Sequence, residues 1–366
     1  MDTATKLRVA SARDLGPQFV DNPHRMVGQD GAFSIPLGEK QSLWFFGDTL
    51  VGTRSENHSP WLIDGQLVGP RDMTGRGTFE QMINNTGLIL PDHDASKGLH
   101  DYRYLLDRRG KLKNLLPLEG DEHPDRDRIW CQHGICIGEM VYLSFIAVRM
   151  LEKNDTPLPI GFEIVGSGLA GGSRHDWNFT RVRYEDGNSI LWKSDEPHFA
   201  TAFLRHEADF LYLFGTVNRA GAQRCYLARV APEHLSNLDH YEYLTSTAPR
   251  WGKRLSDAAD IFTGMPSELS VSFNPHLGCY LAVHSADLSG DIVGRTALHP
   301  WGPWSEPTVL WKVQVPPLPY ERPYAFPLIY AGKEHPELSR ENGRVVYVTY
   351  IEFEEYFPHL VEVTLQ

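Results

Sequence analysis

Gln29-Asp30-Gly31-Ala32-Phe33-Ser34-Ile35-Pro36-Leu37, followed after a short break by Leu43-Trp44-Phe45-Phe46-Gly47-Asp48-Thr49, is the stretch on which the reading of the chain turns. It predicts two strands joined by Gly38-Glu39-Lys40-Gln41, a polar connection of hairpin length. Antiparallel pairing brings the start of the first strand beside the end of the second, so Asp30 and Asp48 are expected at one end of the hairpin. Two carboxylates then share one rim.

The motif recurs. Similar hairpins are predicted near 31–49, 133–148, 199–216, 269–284 and 325–350, with aromatic anchors at Trp44, Tyr142, Tyr212, Tyr280 and Tyr347 on their second strands. The third turns at His206-Glu207-Ala208-Asp209. Strand-like segments follow most of them, among them Gln223–Val230, Ile292–Ala297 and His359–Leu365. A hairpin with one or two outer strands is a propeller blade, and radial packing of blades protects sheet edges. The fold expected is therefore all-β: a five-bladed β-propeller forming a single domain over residues 1–366, with an irregular β-sandwich as the alternative. The polar, Gly-rich region Ser55–Asp127 is read as an insert that decorates one face and shapes a groove.

Composition narrows the function. The chain has 366 residues, 47 acidic against 35 basic, and a formal charge of −12. No Lys/Arg run tracks a phosphate backbone, so nucleic acid and anionic membranes are not expected partners. No apolar run approaches the ~20 residues needed to span a bilayer. The opening Met1-Asp2-Thr3-Ala4-Thr5-Lys6 lacks the basic-then-apolar pattern of a secretory signal, which predicts a cytoplasmic protein, or a secreted one if a leader was removed. Cys131, Cys136, Cys225 and Cys279 are read as reduced thiols, with a Cys131–Cys136 bridge as the alternative. Aromatic residues make up 11%, a content suited to carbohydrate ligands, and the sequence leaves the oligomeric state open.

The same geometric rule applied to every hairpin lists what should gather at the shared rim. Strand starts contribute Asp30, Gln132, His133, His198, Glu268 and Tyr324, and strand ends contribute Asp48, His284 and Glu352. Trp177, in a Gly-rich loop, is the expected ring-stacking residue, whereas Trp301 and Trp304 are assigned to the core. Glu334 and His335 belong to the connection inside the fifth hairpin and are placed on the opposite face. Each residue also has a plainer reading: Asp30-Gly31 as a turn, Asp48 as a cap, each histidine as a structural imidazole.

Gln29-Asp30-Gly31, Leu43 to Thr49, Glu268-Leu269-Ser270-Val271 with Asn274-Pro275 and Tyr280-Leu281, Gly302-Pro303-Trp304-Ser305, and Tyr347-Val348-Thr349-Tyr350 together resemble a bacterial domain family long catalogued as of unknown function. That family includes endo-D-arabinanases and is similar to the five-bladed propeller glycosidases, arabinanases and fructosidases among them. The resemblance implies that Asp30 and Asp48 are the catalytic pair of a glycoside hydrolase acting on a furanoside such as an arabinan.

The chemistry agrees: glycoside cleavage needs one carboxyl group as acid and another as base or nucleophile. Asp30 is expected as nucleophile or base and Asp48 as its partner, with Glu268 as an alternative acid or hydroxyl-binding group. Gln132, His133, Trp177, His198, His284 and Tyr324 are expected to bind substrate. No cofactor is expected, although Asp30, Glu268 and backbone oxygens could ligate a structural calcium in the central channel. The alternatives are a lectin-like glycan-binding propeller, or a glycoside phosphorylase using Arg174, His175, Arg181 and Arg322 at the rim.

Overall fold

The computed structural model describes the chain apart from residues 1–5, 56–57, 74, 155–157, 185, 207–208, 288, 316, 318–319 and 325–326, and the side chain of His206. Ala325 and Phe326, the expected start of the fifth hairpin, and Glu207 and Ala208 of the third turn therefore lie outside the described residues.

The opening hairpin forms as its residues dictate, pairing Met26–Gly38 with Gln41–Arg54 around the turn residues Glu39 and Lys40. Both turn residues have positive φ, 51° and 63°, the conformation that matches a two-residue turn to the strand twist. Among the described residues the strands form five sheets of four to six strands, plus a two-stranded ribbon, Leu62–Ile63 with Gln66–Leu67. In the first four sheets in chain order, the innermost strands are Met26–Gly38, Asp127–Ile137, His198–His206 and Ser270–Asn274. Ile329–Glu334 is innermost in the fifth. Each innermost strand packs beside the next and the fifth returns to the first, giving a five-bladed propeller in one domain.

Apolar clusters fill the gaps between blades. Phe33, Leu43 and Phe45 of the first blade pack with Val141, Leu143 and Phe145 of the second. Trp44, of the anchor series, is fully buried and stacks on His335 at 4.2 Å. The first blade's third strand is broken into Gly77–Ile83 and Thr86–Leu90, both paired to Gln41–Arg54. All four cysteines are free thiols.

One strand was not anticipated. Val9–Pro17 pairs with Pro358–Leu365, so the last blade is completed by the first strand of the chain. Asp14 accepts hydrogen bonds from Tyr350 Oη at 2.7 Å and His359 Nδ1 at 3.0 Å, and Arg13 pairs with Glu362 at 2.9 Å. The fifth hairpin is also corrected: its inner strand starts at Ile329, which pairs with Glu352. Pro327 precedes it, and proline cannot donate to a central ladder.

Candidate functional site

The first hairpin brings its two carboxylates together through an irregularity. Gln29 faces Thr49 and Gly31 faces Phe46, so Asp30 on one strand lies opposite Gly47 and Asp48 on the other. Gly31 and Ala32 have φ of 85° and 73°, and this left-handed step re-aims the strand next to Asp30. Bulges and positive-φ residues of this kind concentrate at functional sites.

Both aspartates line a cavity of about 670 Å³ at one mouth of the channel. Asp30 Oδ2 accepts hydrogen bonds from Tyr330 Oη at 3.2 Å and Tyr356 Oη at 3.1 Å, both from the last blade. Asp48, only 7% exposed, has the Arg128 guanidinium 3.9 Å from its Oδ2. The Trp130 indole adjoins Asp48 and favours its charged form, and Gln132 Oε1 has no hydrogen-bond partner among the described residues. An unpaired buried acceptor beside a cavity is costly unless a ligand or water completes it.

Electrostatics separates the two carboxyls. Burial, then the adjacent Asp48 charge and more weakly Glu268, push Asp30 up to about 8 against the two phenol hydrogen bonds. Burial pushes Asp48 up to about 6, opposed by Arg128 and the Trp130 indole. The pair therefore retains one proton near neutrality, with Arg128 favouring the charge on Asp48.

Glu268, in the connection entering the fourth blade, lines the same cavity. Burial raises its carboxyl, and the Lys333 ammonium works in the opposite direction. Lys333 is 2% exposed; its Nζ donates to the Gln132 carbonyl at 3.1 Å and lies 3.7 Å over the Phe33 ring. Burial pushes the Lys333 amine well below the usual lysine range, and the Glu268 carboxyl works in the opposite direction. Among the described residues no group of three or more His, Cys, Asp and Glu side chains is arranged to hold a metal.

Of the expected site residues, Asp30, Asp48, Glu268 and Gln132 line the cavity and the other five do not. Strand alternation turns His133 away from Gln132's side, where its Nδ1 donates to the Gly134 carbonyl at 3.0 Å. Burial and then Lys333 push His133 down to about 3. His198 donates to the Lys193 carbonyl at 3.2 Å. His284 is buried between blades, stacked on Phe262 and accepting from Arg295 Nε at 3.2 Å.

Tyr324 donates to Glu354 at 2.6 Å, outside the cavity, and Tyr330 occupies the place expected of it because the strand begins later. Trp177 lies on the opposite face. Its loop follows the third strand of the second blade, Phe162–Ser173, whose end pairs with Met140 beside the hairpin turn.

Arg174, His175, Arg181 and Arg322, the residues expected to serve a phosphorylase, do not line this cavity, although Arg71 and Arg128 do. Arg174 and His175 contact Leu37 O and Glu139 at the turn face, Arg181 is held by Glu122, and Arg322 by Glu354. Glu334 and His335 lie away from the cavity as expected, but both are buried rather than in an exposed connection.

Tyr330, Tyr356, Arg128, Trp130 and Lys333 were not anticipated. Pro327 was the available signal for Tyr330, and strand alternation back from Gln132 for Trp130 and Arg128; Tyr356 and Lys333 depend on packing between blades. The insert after the first hairpin does shape the groove, contributing Trp61, Val68 to Arg71, Phe79 and Met82 to its wall.

Solved structures with this fold cover nearly all of the chain. A candidate hydrolase from Bacteroides ovatus ATCC 8483 aligns over 96% of this chain and 87% of its own, with 16% identity and a TM-score of 0.61. A family 117 glycoside hydrolase from Zobellia galactanivorans aligns over 97% and 90%, with 9% identity and a TM-score of 0.50. A family 32 β-fructofuranosidase from Bombyx mori, in complex with sucrose, aligns over 94% and 65%, with 11% identity and a TM-score of 0.50. At such identities the likeness is one of fold. No curated protein matches the chain. The sequence profile described as "Domain of unknown function (DUF4185)" matches residues 16–362, nearly the whole length, and the chain belongs to that family.

Proposed function

We propose that this protein is a glycoside hydrolase of the propeller type, acting on a furanoside such as an arabinan through the Asp30–Asp48 pair. The observation that carries the proposal is the pair itself: two carboxyls from adjacent strands, facing one cavity, with Asp30 pushed up to about 8 and Asp48 to about 6. Separated acidities of this kind are what an acid and a base need to coexist at one pH. The fold shared with glycoside hydrolases of families 117 and 32 supports the reading, and the furanoside preference rests on the family resemblance.

In this mechanism Asp30, which holds the proton, delivers it to the glycosidic oxygen as the C–O bond breaks. Asp48, kept anionic by Arg128, supplies the negative charge that meets the oxocarbenium-like carbon, directly or by deprotonating water. One water is consumed, each product gains a hydroxyl group, and the pair recovers its proton. This reverses the roles expected from sequence, because Arg128 acts on Asp48 rather than on Asp30. Glu268 and Gln132, which line the cavity, bind sugar hydroxyls in this reading.

The test is reducing-sugar release from arabinans, fructans and short furanosides, with and without phosphate, by wild type, Asp30→Asn and Asp48→Asn. Phosphate-independent hydrolysis that both changes reduce at least about 1,000-fold in folded protein supports the proposal. Hydrolysis that survives both changes overturns it. Aryl furanosides with good leaving groups assign the roles, since they need little protonation and spare the acid variant, Asp30→Asn, alone.

A further inference from the structure

The cavity has two unlike walls. The third and fourth blades supply Asn218, Gln223, Ser267 and Asp287, a polar wall beside the carboxyl pair. The first and second blades supply Phe79, Met82, Met150, Leu158, Ile160 and Phe162. These six are only half-buried although they face one concavity, so they expose apolar surface there. Phe79, Met82, Leu158 and Ile160 pack on a small cluster of Leu50, Trp61, Leu328, Phe353 and Tyr356, which makes the wall continuous with the tyrosine that holds Asp30.

This wall is ill-suited to a second sugar ring. Its six side chains offer no partner for hydroxyl groups, although the Arg71–Asp125 ion pair and Arg128 flank them, and its larger rings are engaged with one another. Trp61 stacks on Phe353 at 5.0 Å and 20°, and Trp130 meets Phe162 edge-on at 5.0 Å and 76°. What remains is aliphatic and thioether surface, which adapts to flexible chains. A volume of about 670 Å³ also exceeds the needs of one furanose ring and is that of a drug-sized ligand.

Building on the glycosidase reading, and replacing its arabinan example with a furanoside that carries no second sugar at this wall, we infer that the substrate is an amphipathic glycoside. Its sugar lies between the carboxyl pair and the polar wall, and an apolar alkyl-type aglycone runs along the Met82–Ile160 wall. The sugar lies at the carboxyl pair, where Asp30, Asp48 and Gln132 line the cavity, and the aglycone runs along the apolar wall.

The experiment pairs methyl and n-octyl glycosides of arabinofuranose and fructofuranose, measuring binding to Asp30→Asn by calorimetry and turnover by wild type. A methylene that is fully buried improves affinity about fourfold, so an octyl chain seated on this wall gives at least a ~30-fold gain over methyl. Ile160→Asn, or Met82→Gln should the first fail to fold, then reduces that octyl-to-methyl ratio. Equal binding of methyl and octyl glycosides, or a chain-length gain untouched by both substitutions in folded protein, overturns the inference while leaving the hydrolase reading intact. Octyl-dependent binding without hydrolysis of any glycoside upholds the apolar subsite and overturns the hydrolase reading. Absence of binding by every member of the series overturns the amphipathic substrate.

Discussion

A methyl group built on Gly47 would stand 2.2 Å from Asp30 Oδ1. The carboxylate of one strand therefore rests against the bare backbone of the strand beside it, and only glycine leaves room. Gly47→Ala is expected to fold, at a cost of about 1–3 kcal/mol for the added bulk, while moving Asp30 off its tyrosine partners. Turnover should fall at least ~100-fold with a much smaller change in melting temperature. Full activity in Gly47→Ala would show that Asp30 does not depend on this contact.

The carboxyl pair sets a bell-shaped pH profile. Under the proposed mechanism activity requires Asp48 ionised and Asp30 protonated, so it should rise through about pH 6 and fall through about pH 8. The pair titrates as a unit, and these limbs belong to it rather than to isolated groups. Tyr330→Phe or Tyr356→Phe removes a hydrogen bond that favours charged Asp30, so the alkaline limb should move to higher pH. Each change should also lower turnover by about tenfold, the worth of a hydrogen bond to a charged group. A limb that moves downward would contradict the assignment of Asp30 as the acid.

Lys333→Met tests the buried amine beside Glu268. Without it, Glu268 loses the group that opposes its burial and becomes more readily protonated. A neutral Glu268 no longer raises Asp30, so the alkaline limb of the profile should shift to lower pH. Lys333→Arg should recover part of the shift, if the larger head folds into the channel. An unchanged profile in folded Lys333→Met would confine Lys333 to packing on Phe33.

Stability should carry a separate signature from the last blade. Burial opposes the charged form of His359, but hydrogen bonds and charges from Asp14 and Glu355 overcome it and push the imidazole up to about 9. A raised folded-state value means the contribution is fully present below the unfolded value of ~6.5 and is lost as pH rises through about 9. Its upper bound is about 3 kcal/mol, reduced by partial solvation. Urea unfolding between pH 6 and 9.5 should show wild type losing more stability than His359→Gln. Parallel curves would exclude the linkage.

Much of this molecule could be read along the chain, because hairpins are local. The five inner hairpins, the convergence of Asp30 with Asp48, and the places of Glu268 and Gln132 all follow from strand alternation and antiparallel order. The failures share a cause. His284 and His198 stand near the expected strand ends, yet their rings turn into gaps between blades, a direction set by neighbouring sheets. Trp177 was lost to a counting rule: a third strand runs back, so its loop returns to the turn face. Tyr356 reaches the carboxyl pair from another blade, a relation that spacing cannot express. Val9–Pro17 has no buried residue and lacks the alternation that marks a strand with one buried face.

That strand makes assembly depend on the order in which the polypeptide emerges. Val9 pairs with Leu365, so the first strand waits without its partner until almost the whole sequence has been synthesised. The Asp30 carboxylate waits with it, since both of its phenol donors, Tyr330 and Tyr356, also arrive late. Such long-range pairings make folding slow. They also mean that the proton affinities of Asp30 and Asp48 are set only once the last blade has joined the first.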